Sequence, residues 1–196
     1  GYFENLGVSG ILLSPLNSNP DTSSRESGLP FRKYMGFDGS WPIEPRLIDK
    51  RFGTEEELKL LVKGCHDKGI KLLLDFEGRY THTEHPYYQS NPDWYETDDS
   101  YWGELFLPKF NYYSSRFIKQ ITLDASYWAN KFDIDGFLNN FLPNIPHEFS
   151  RYYNQSLDRE LDSKIFNIIR SPMNFNSHSE FISPAEFDAQ LNFSLY

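Results

Sequence analysis

The segment Phe52 to Phe76, FGTEEELKLLVKGCHDKGIKLLLDF, constrains the fold more than any other stretch. Thr54 with Glu57 three residues later is a capping box, in which each side chain satisfies a backbone N–H left open at a helix start. Leu58, Leu61, Val62 and Cys65 then recur at helical spacing, and Gly69 stands where a left-handed C′ residue ends a helix. From Ile70 to Phe76 the chain is apolar except at Lys71, which predicts a strand buried on both faces of a parallel sheet. A helix feeding such a strand is the unit of a β/α fold.

The same alternation recurs downstream. In SSRFIKQITLDASYWANKF, opened by Ser114 or Ser115, residues Phe117, Ile118, Ile121, Ala125, Trp128 and Ala129 form one helical face, and the strand GFLNNFL follows. A helix from Pro146 toward Leu161 precedes another apolar strand, Lys164 to Ile169. Residues 1 to 16 give the end of a helix, a stop at Gly7 and a strand in VSGILLSPL. Residues 17 to 40, rich in Ser, Asn, Pro, Asp and Gly, predict a long surface loop.

With 39% apolar and 17% aromatic residues among 196, the chain can bury a core, and one domain spanning 1–196 is expected. A formal charge of −9 argues against a nucleic-acid partner, and the absence of a long apolar run argues against membrane insertion. The one cysteine, Cys65, excludes an internal disulfide and fits a small buried hydrophobe.

Several motifs resemble, in order and spacing, the α-amylase superfamily of glycoside hydrolases. Asp135-Gly136-Phe137 resembles the start of the family's D-G-F-R-x-D segment, with Leu138 at the Arg and Asn140 at the nucleophilic Asp. Tyr34 to Asp38 resembles H-G-Y-D, with Phe37 at the sugar-stacking Tyr; loop packing is the competing role for that ring. Asp75 resembles the Asp of D-x-x-x-N-H, whose Asn and His are replaced by Arg79 and Tyr80. After Ile169, the family's acid/base Glu falls on Arg170, with Ser171 as the alternative. The segment EFDAQLNFSLY is similar to the stretch near the family's sixth strand.

The resemblance implies a (β/α)8 TIM-barrel fold of which this chain holds about the second to the sixth βα unit, with an insert over 77–115 after the third strand. A whole barrel takes about 250 residues. The first and last strands, and the family's third catalytic Asp, are expected outside this sequence. An open half barrel would expose strand edges.

Neither substituted position supports hydrolysis. An amide cannot form a glycosyl ester, Arg stays charged, and Ser is too weak an acid to protonate a leaving oxygen. Asp135 lies roughly 16 Å back along its strand, at the barrel's other end. Glu77, on the side of Asp75 and near the mouth, is the one acid that could have taken over.

Three readings stand: a silent domain that binds α-glucan or maltooligosaccharide or serves other protein subunits, an active hydrolase using Glu77 with residues outside the chain, and a scaffold without sugar affinity. Phe37, Asp75, Tyr80, His82, Trp102 and Asn140 are the candidate sugar-binding residues. The rings of the insert, including Tyr87, Tyr88, Trp94, Tyr95, Tyr101, Tyr112 and Tyr113, serve either as stacking platforms or as a satellite core.

No cofactor or metal is expected. Arg79 cannot donate oxygen to a hard cation, Asp75 has a pairing with Arg79 open to it, and His82, Glu84 and His85 lack helical ligand spacing. Secreted or cell-envelope placement is what many aromatic-rich α-glucan proteins of this kind share.

Overall fold

The computed structural model describes residues 1–21, 24–26, 29–34, 39–97, 107–141, 145–170 and 181–191. A short helix α1 (Tyr2–Asn5) leads through Gly7, in the left-handed region at φ 72°, into strand β1 (Gly10–Leu13). Within the stretch expected to be an irregular loop, β2 (Ser24–Glu26) and β3 (Leu29–Tyr34) pair antiparallel. Turn-forming composition marks where a chain reverses, and a reversal can close a hairpin as well as a loop.

Helix α2 (Glu55–His66) carries the expected reciprocal cap. The Thr54 backbone N–H donates to Glu57 Oε2 at 2.8 Å, and the Glu57 N–H donates to Thr54 Oγ1 at 3.2 Å. Strand β4 (Lys71–Glu77) follows, then α3 (Pro86–Ser90) and a single 3₁₀ turn (Pro92–Trp94) in the insert. Helix α4 (Ser115–Phe132), capped by Ser114, leads to β5 (Gly136–Asn140); α5 (His147–Glu160) leads to β6 (Phe166–Ile169), and β7 (Ala189–Gln190) closes the order.

The five main strands are parallel in the order β1-β4-β5-β6-β7, the sequential neighbour-by-neighbour order of a (β/α) barrel wall. Strand residues alternate between two faces. Leu72, Leu74 and Phe76 of β4 and Phe137 of β5 are buried against the helices, where they meet Val62, Cys65, Phe117, Ile121, Ala125, Trp128 and Phe132. Burying each such side chain is worth about 1.5–3 kcal/mol.

The opposite, lumen face is closed less completely. Leu73 is half-buried, while Leu12 and Phe166 are 48% and 46% exposed, so full burial of β4 on both faces holds only toward its carboxy end. On α2, Leu58, Val62 and Cys65 are buried, but Leu61 is 45% exposed beside a groove it shares with Leu16, Ile48 and Phe52.

Two glycines permit close approaches that a larger residue would block. A Cβ on Gly136 would stand 2.2 Å from the Phe166 carbonyl, and one on Gly78 would stand 2.4 Å from the Phe141 ring. The chain leaving β4 is thereby pressed onto an aromatic layer in which Phe141 meets Phe149 at 5.0 Å and Tyr153 at 5.2 Å.

Candidate functional site

The carboxy ends of β4, β5 and β6 bring Glu77, Asn140 and Arg170 together. Glu77 and Asn140 are register partners, and the Arg170 N–H donates to the Asn139 carbonyl at 2.9 Å, which sets Arg170 beside Asn140. By strand alternation Asp75, Glu77, Leu138, Asn140 and Arg170 share the lumen face. Asp135, by contrast, lies at the amino end of β5, where it accepts from Lys71 Nζ at 2.6 Å and from the Leu72 N–H at 2.8 Å.

Two ion pairs dominate the lumen face. Arg170 Nη2 reaches over β5 to Asp75 Oδ2 at 2.5 Å, spanning the position of buried Leu138. Arg79 donates to Glu77 three times, from its backbone N–H at 2.8 Å and from Nε and Nη2 at 3.3 Å each. The sequence left Asp75 open either to pair with Arg79 or to meet a ligand; in the structure Asp75 pairs with Arg170, and Arg79 with Glu77. Contact across two strands, between residues far apart in sequence, carries no local pattern.

Asn140 Nδ2 also donates to Glu77 Oε2, at 2.7 Å. Burial pushes the Glu77 carboxyl above the usual range, against the opposing pull of the Arg79 charge and of hydrogen bonds from Arg79 and Asn140. Asn140 Oδ1 and Arg170 Nε are buried without a hydrogen-bond partner among the described residues.

The other candidates divide. Tyr80 is 4% exposed, with the Arg79 guanidinium 5.3 Å over its ring, so this ring belongs to the core rather than to an open platform. His82 is half-buried; its Nδ1 accepts from the Glu84 N–H at 3.3 Å, and burial lowers its pKa. His85 caps α3 by accepting from the Tyr87 N–H at 3.1 Å. Phe37, Tyr101, Trp102 and Ser171 lie outside the described residues.

Most described insert rings form the satellite core. Trp94, Tyr95 and Tyr112 are buried, and Tyr112 Oη donates to the Gly78 carbonyl at 2.5 Å. Tyr113 differs in being 82% exposed. Among the described residues no three His, Cys, Asp or Glu side chains converge as metal ligands, and no helix is long and apolar enough to cross a membrane.

Three buried polar groups went unrecognised in the sequence. Asn139 Nδ2 donates to Asn167 Oδ1 at 3.2 Å and Tyr153 Oη donates to Asn139 Oδ1 at 2.7 Å, behind the sheet. Asp124 accepts from Arg46, Tyr87 and Gln120. Glu186 accepts from Ser150 and Arg151 and meets His147 Nδ1 at 3.0 Å. Asp124 could have been found by its spacing, since it falls on the apolar stripe of α4 between Ile121 and Trp128.

A five-stranded parallel wall with polar groups gathered at the carboxy ends of its strands is part of a (β/α)8-type barrel. Residues 1–103 match the family model described as alpha amylase, catalytic domain. The chain belongs to the α-amylase family.

It is 28% identical over 177 residues to a cyclomaltodextrinase of Geobacillus thermopakistaniensis, covering 80% of this chain and 28% of that protein. It is 26% identical to alpha-amylase 2 of Dictyoglomus thermophilum, covering 100% of this chain and 34% of that protein. The chain therefore spans about a third or less of these relatives. Among solved structures, the α-amylase of Geobacillus thermoleovorans complexed with acarbose superposes with a TM-score of 0.78 at 21% identity, over 100% of this chain and 44% of that one. The γ-CGTase of alkalophilic Bacillus clarkii gives 0.80 at 17% identity, over 98% of this chain and 31% of that one.

Proposed function

We propose that this α-amylase-family domain binds an α-glucan at the barrel mouth without cleaving it. One observation carries the reading: the lumen carboxylates at the mouth are engaged by guanidinium groups, Asp75 by Arg170 and Glu77 by Arg79. A retaining glycosidase needs two carboxyl groups about 5–5.5 Å apart, one as nucleophile and one as acid. Asn140 offers an amide and Arg170 a permanent cation in the places the family resemblance gives to that pair.

Asp75 and Glu77 are separated by roughly 6.6 Å along β4, within the range of an inverting pair. Each is nevertheless committed to a guanidinium, and the Glu77 side chain is 0% exposed, which leaves it no room to activate water.

Binding is supported by what remains unsatisfied. Asn140 Oδ1 is an acceptor and Arg170 Nε a donor, and they come from neighbouring strands about 4.8 Å apart. Both atoms are buried, so a ligand reaches them only when the mouth side chains move aside; a hydroxyl, which both donates and accepts, then satisfies the two together, whereas a carboxylate or phosphate offers nothing to the amide oxygen. Names such as cyclomaltodextrinase among the relatives favour an α-glucan as that polyol.

The decisive experiment incubates the purified full-length protein with maltodextrin and titrates it with maltoheptaose. Saturable heat without release of reducing sugar is the expected result, and no heat would leave a scaffold role instead. The alternative, a hydrolase using Glu77, draws on the raised carboxyl pKa of that residue. Glucan-dependent turnover abolished by Glu77→Gln would replace the present reading with that one.

A further inference from the structure

A second feature lies on the outside of the wall, between the first turns of α4 and α5. There a groove of about 820 Å³ is floored by buried Tyr112 and Phe149, whose rings meet edge to face at 4.8 Å. Its rims carry Tyr113, 82% exposed, and Tyr152, 42% exposed, together with Lys119 and Glu148. None of Asp75, Glu77, Asn140 or Arg170 lines it. Its volume falls in the range of ligand pockets, about 300–1,000 Å³.

Tyr113 is the most exposed large hydrophobic side chain among the described residues, yet its backbone is fixed on both sides. Tyr112 before it is buried and tied through its hydroxyl to Gly78. Ser114 after it caps α4 and donates its N–H to the Asn111 carbonyl at 3.1 Å, while the Tyr113 N–H donates to Asn111 Oδ1 at 3.0 Å. A bare ring on an immobilised backbone has already lost the conformational freedom that binding would otherwise take from it.

We infer that this groove is a second saccharide site, remote from the mouth, in which Tyr113 and Tyr152 stack on pyranose faces and Lys119 and Glu148 bond ring hydroxyls. The rim chemistry selects the ligand class. Glu148 repels an anion and Lys119 a cation, while Arg116, which also lines the groove, is paired with Asp93 at 2.5 Å, so a neutral polyol is the ligand that uses both Glu148 and Lys119. The same charges interrupt the apolar strip that a protein helix would require. The choice of an α-glucan as the saccharide rests on the function proposed above; the site itself does not.

Fluorine NMR on the full-length protein containing meta-fluorotyrosine tests the site directly, with signals assigned through Tyr113→Phe and Tyr152→Phe. Maltoheptaose should shift both signals saturably, and Tyr113→Ala with Tyr152→Ala should weaken that event by about tenfold or more. Asn140→Leu should leave it unchanged. Signals that stay fixed to millimolar maltoheptaose, or that respond only to a sugar phosphate, overturn the inference. Calorimetry separates the two sites: heat lost only in the groove variant refutes the mouth reading, and heat lost only in Asn140→Leu refutes the groove.

Discussion

The two faces of the sheet are built by different chemistry. Behind the sheet, the helix layer is mainly aromatic and aliphatic around a few paired polar groups, with Phe117 stacked on Phe110 at 4.3 Å and Phe132 packed on Trp128 at 5.3 Å. In front, the lumen face carries two ion pairs at the mouth and partly exposed Leu12 and Phe166 toward its base. The first face follows the rules of any barrel wall. On the reading proposed above, the second departs from what a glycosidase mouth requires, and architecture and chemistry then have separate determinants within one molecule.

If the helix face holds the fold, its truncation should cost most. Phe117→Ala removes a side chain that is 0% exposed and should destabilise by about 3–5 kcal/mol in a denaturant titration. A loss below about 1 kcal/mol would break the contrast between the faces.

Acid attacks the same closed region next. Burial alone holds the His85 pKa at about 4, against an ordinary 6.5. A histidine lowered in the folded state contributes stability that is complete above pH 6.5 and lost as pH falls toward 4. The loss should reach about 3 kcal/mol, and His85→Gln should flatten the profile over that window.

At the mouth, Arg170→Met removes the guanidinium paired with Asp75 and should cost about 2 kcal/mol, less than a fully buried pair because the Arg170 side chain is 32% exposed. Adding Asp75→Leu should restore most of that loss, since an apolar pair leaves no uncompensated charge. Failure of the double variant to recover would show that Asp75 has work beyond this ion pair.

Asn140→Asp alone should produce no measurable hydrolysis of maltodextrin, because Leu138 and Arg170 persist beside it. Hydrolysis by that single variant would mean that the lumen face retains catalytic competence. Smallest of all, Lys63→Ala breaks an exposed i,i+4 pair with Asp67 and should change stability by less than about 0.5 kcal/mol.

The helix face was legible in the sequence because its signals are local. Thr54 with Glu57, the glycine at position 69 and the Leu72–Leu74–Phe76 alternation each state their role within a few residues. Glu77 and Asn140 were also marked out, by strand-end position and by motif. Their direct hydrogen bond was not, because it joins residues 63 apart. The Asp75 partner depends on which strands adjoin and how side chains cross them, so the sequence left open an i,i+4 pair with Arg79 but could not show the cross-sheet pair with Arg170. The β2–β3 hairpin was missed because its composition signals reversal without stating what flanks it.

The Asn139–Asn167–Tyr153 network has a consequence for the opposite face. Amides buried in hydrocarbon tolerate only the alignment in which they find one another, so sliding β6 against β5 by a single residue would break the Asn139–Asn167 bond and leave the Asn139 amide N–H and the Asn167 side chain without each other. The same slip would swing Arg170 to the wrong wall. A lock hidden behind the sheet thereby keeps the front in register, and the barrel mouth inherits its order from side chains that no ligand ever touches.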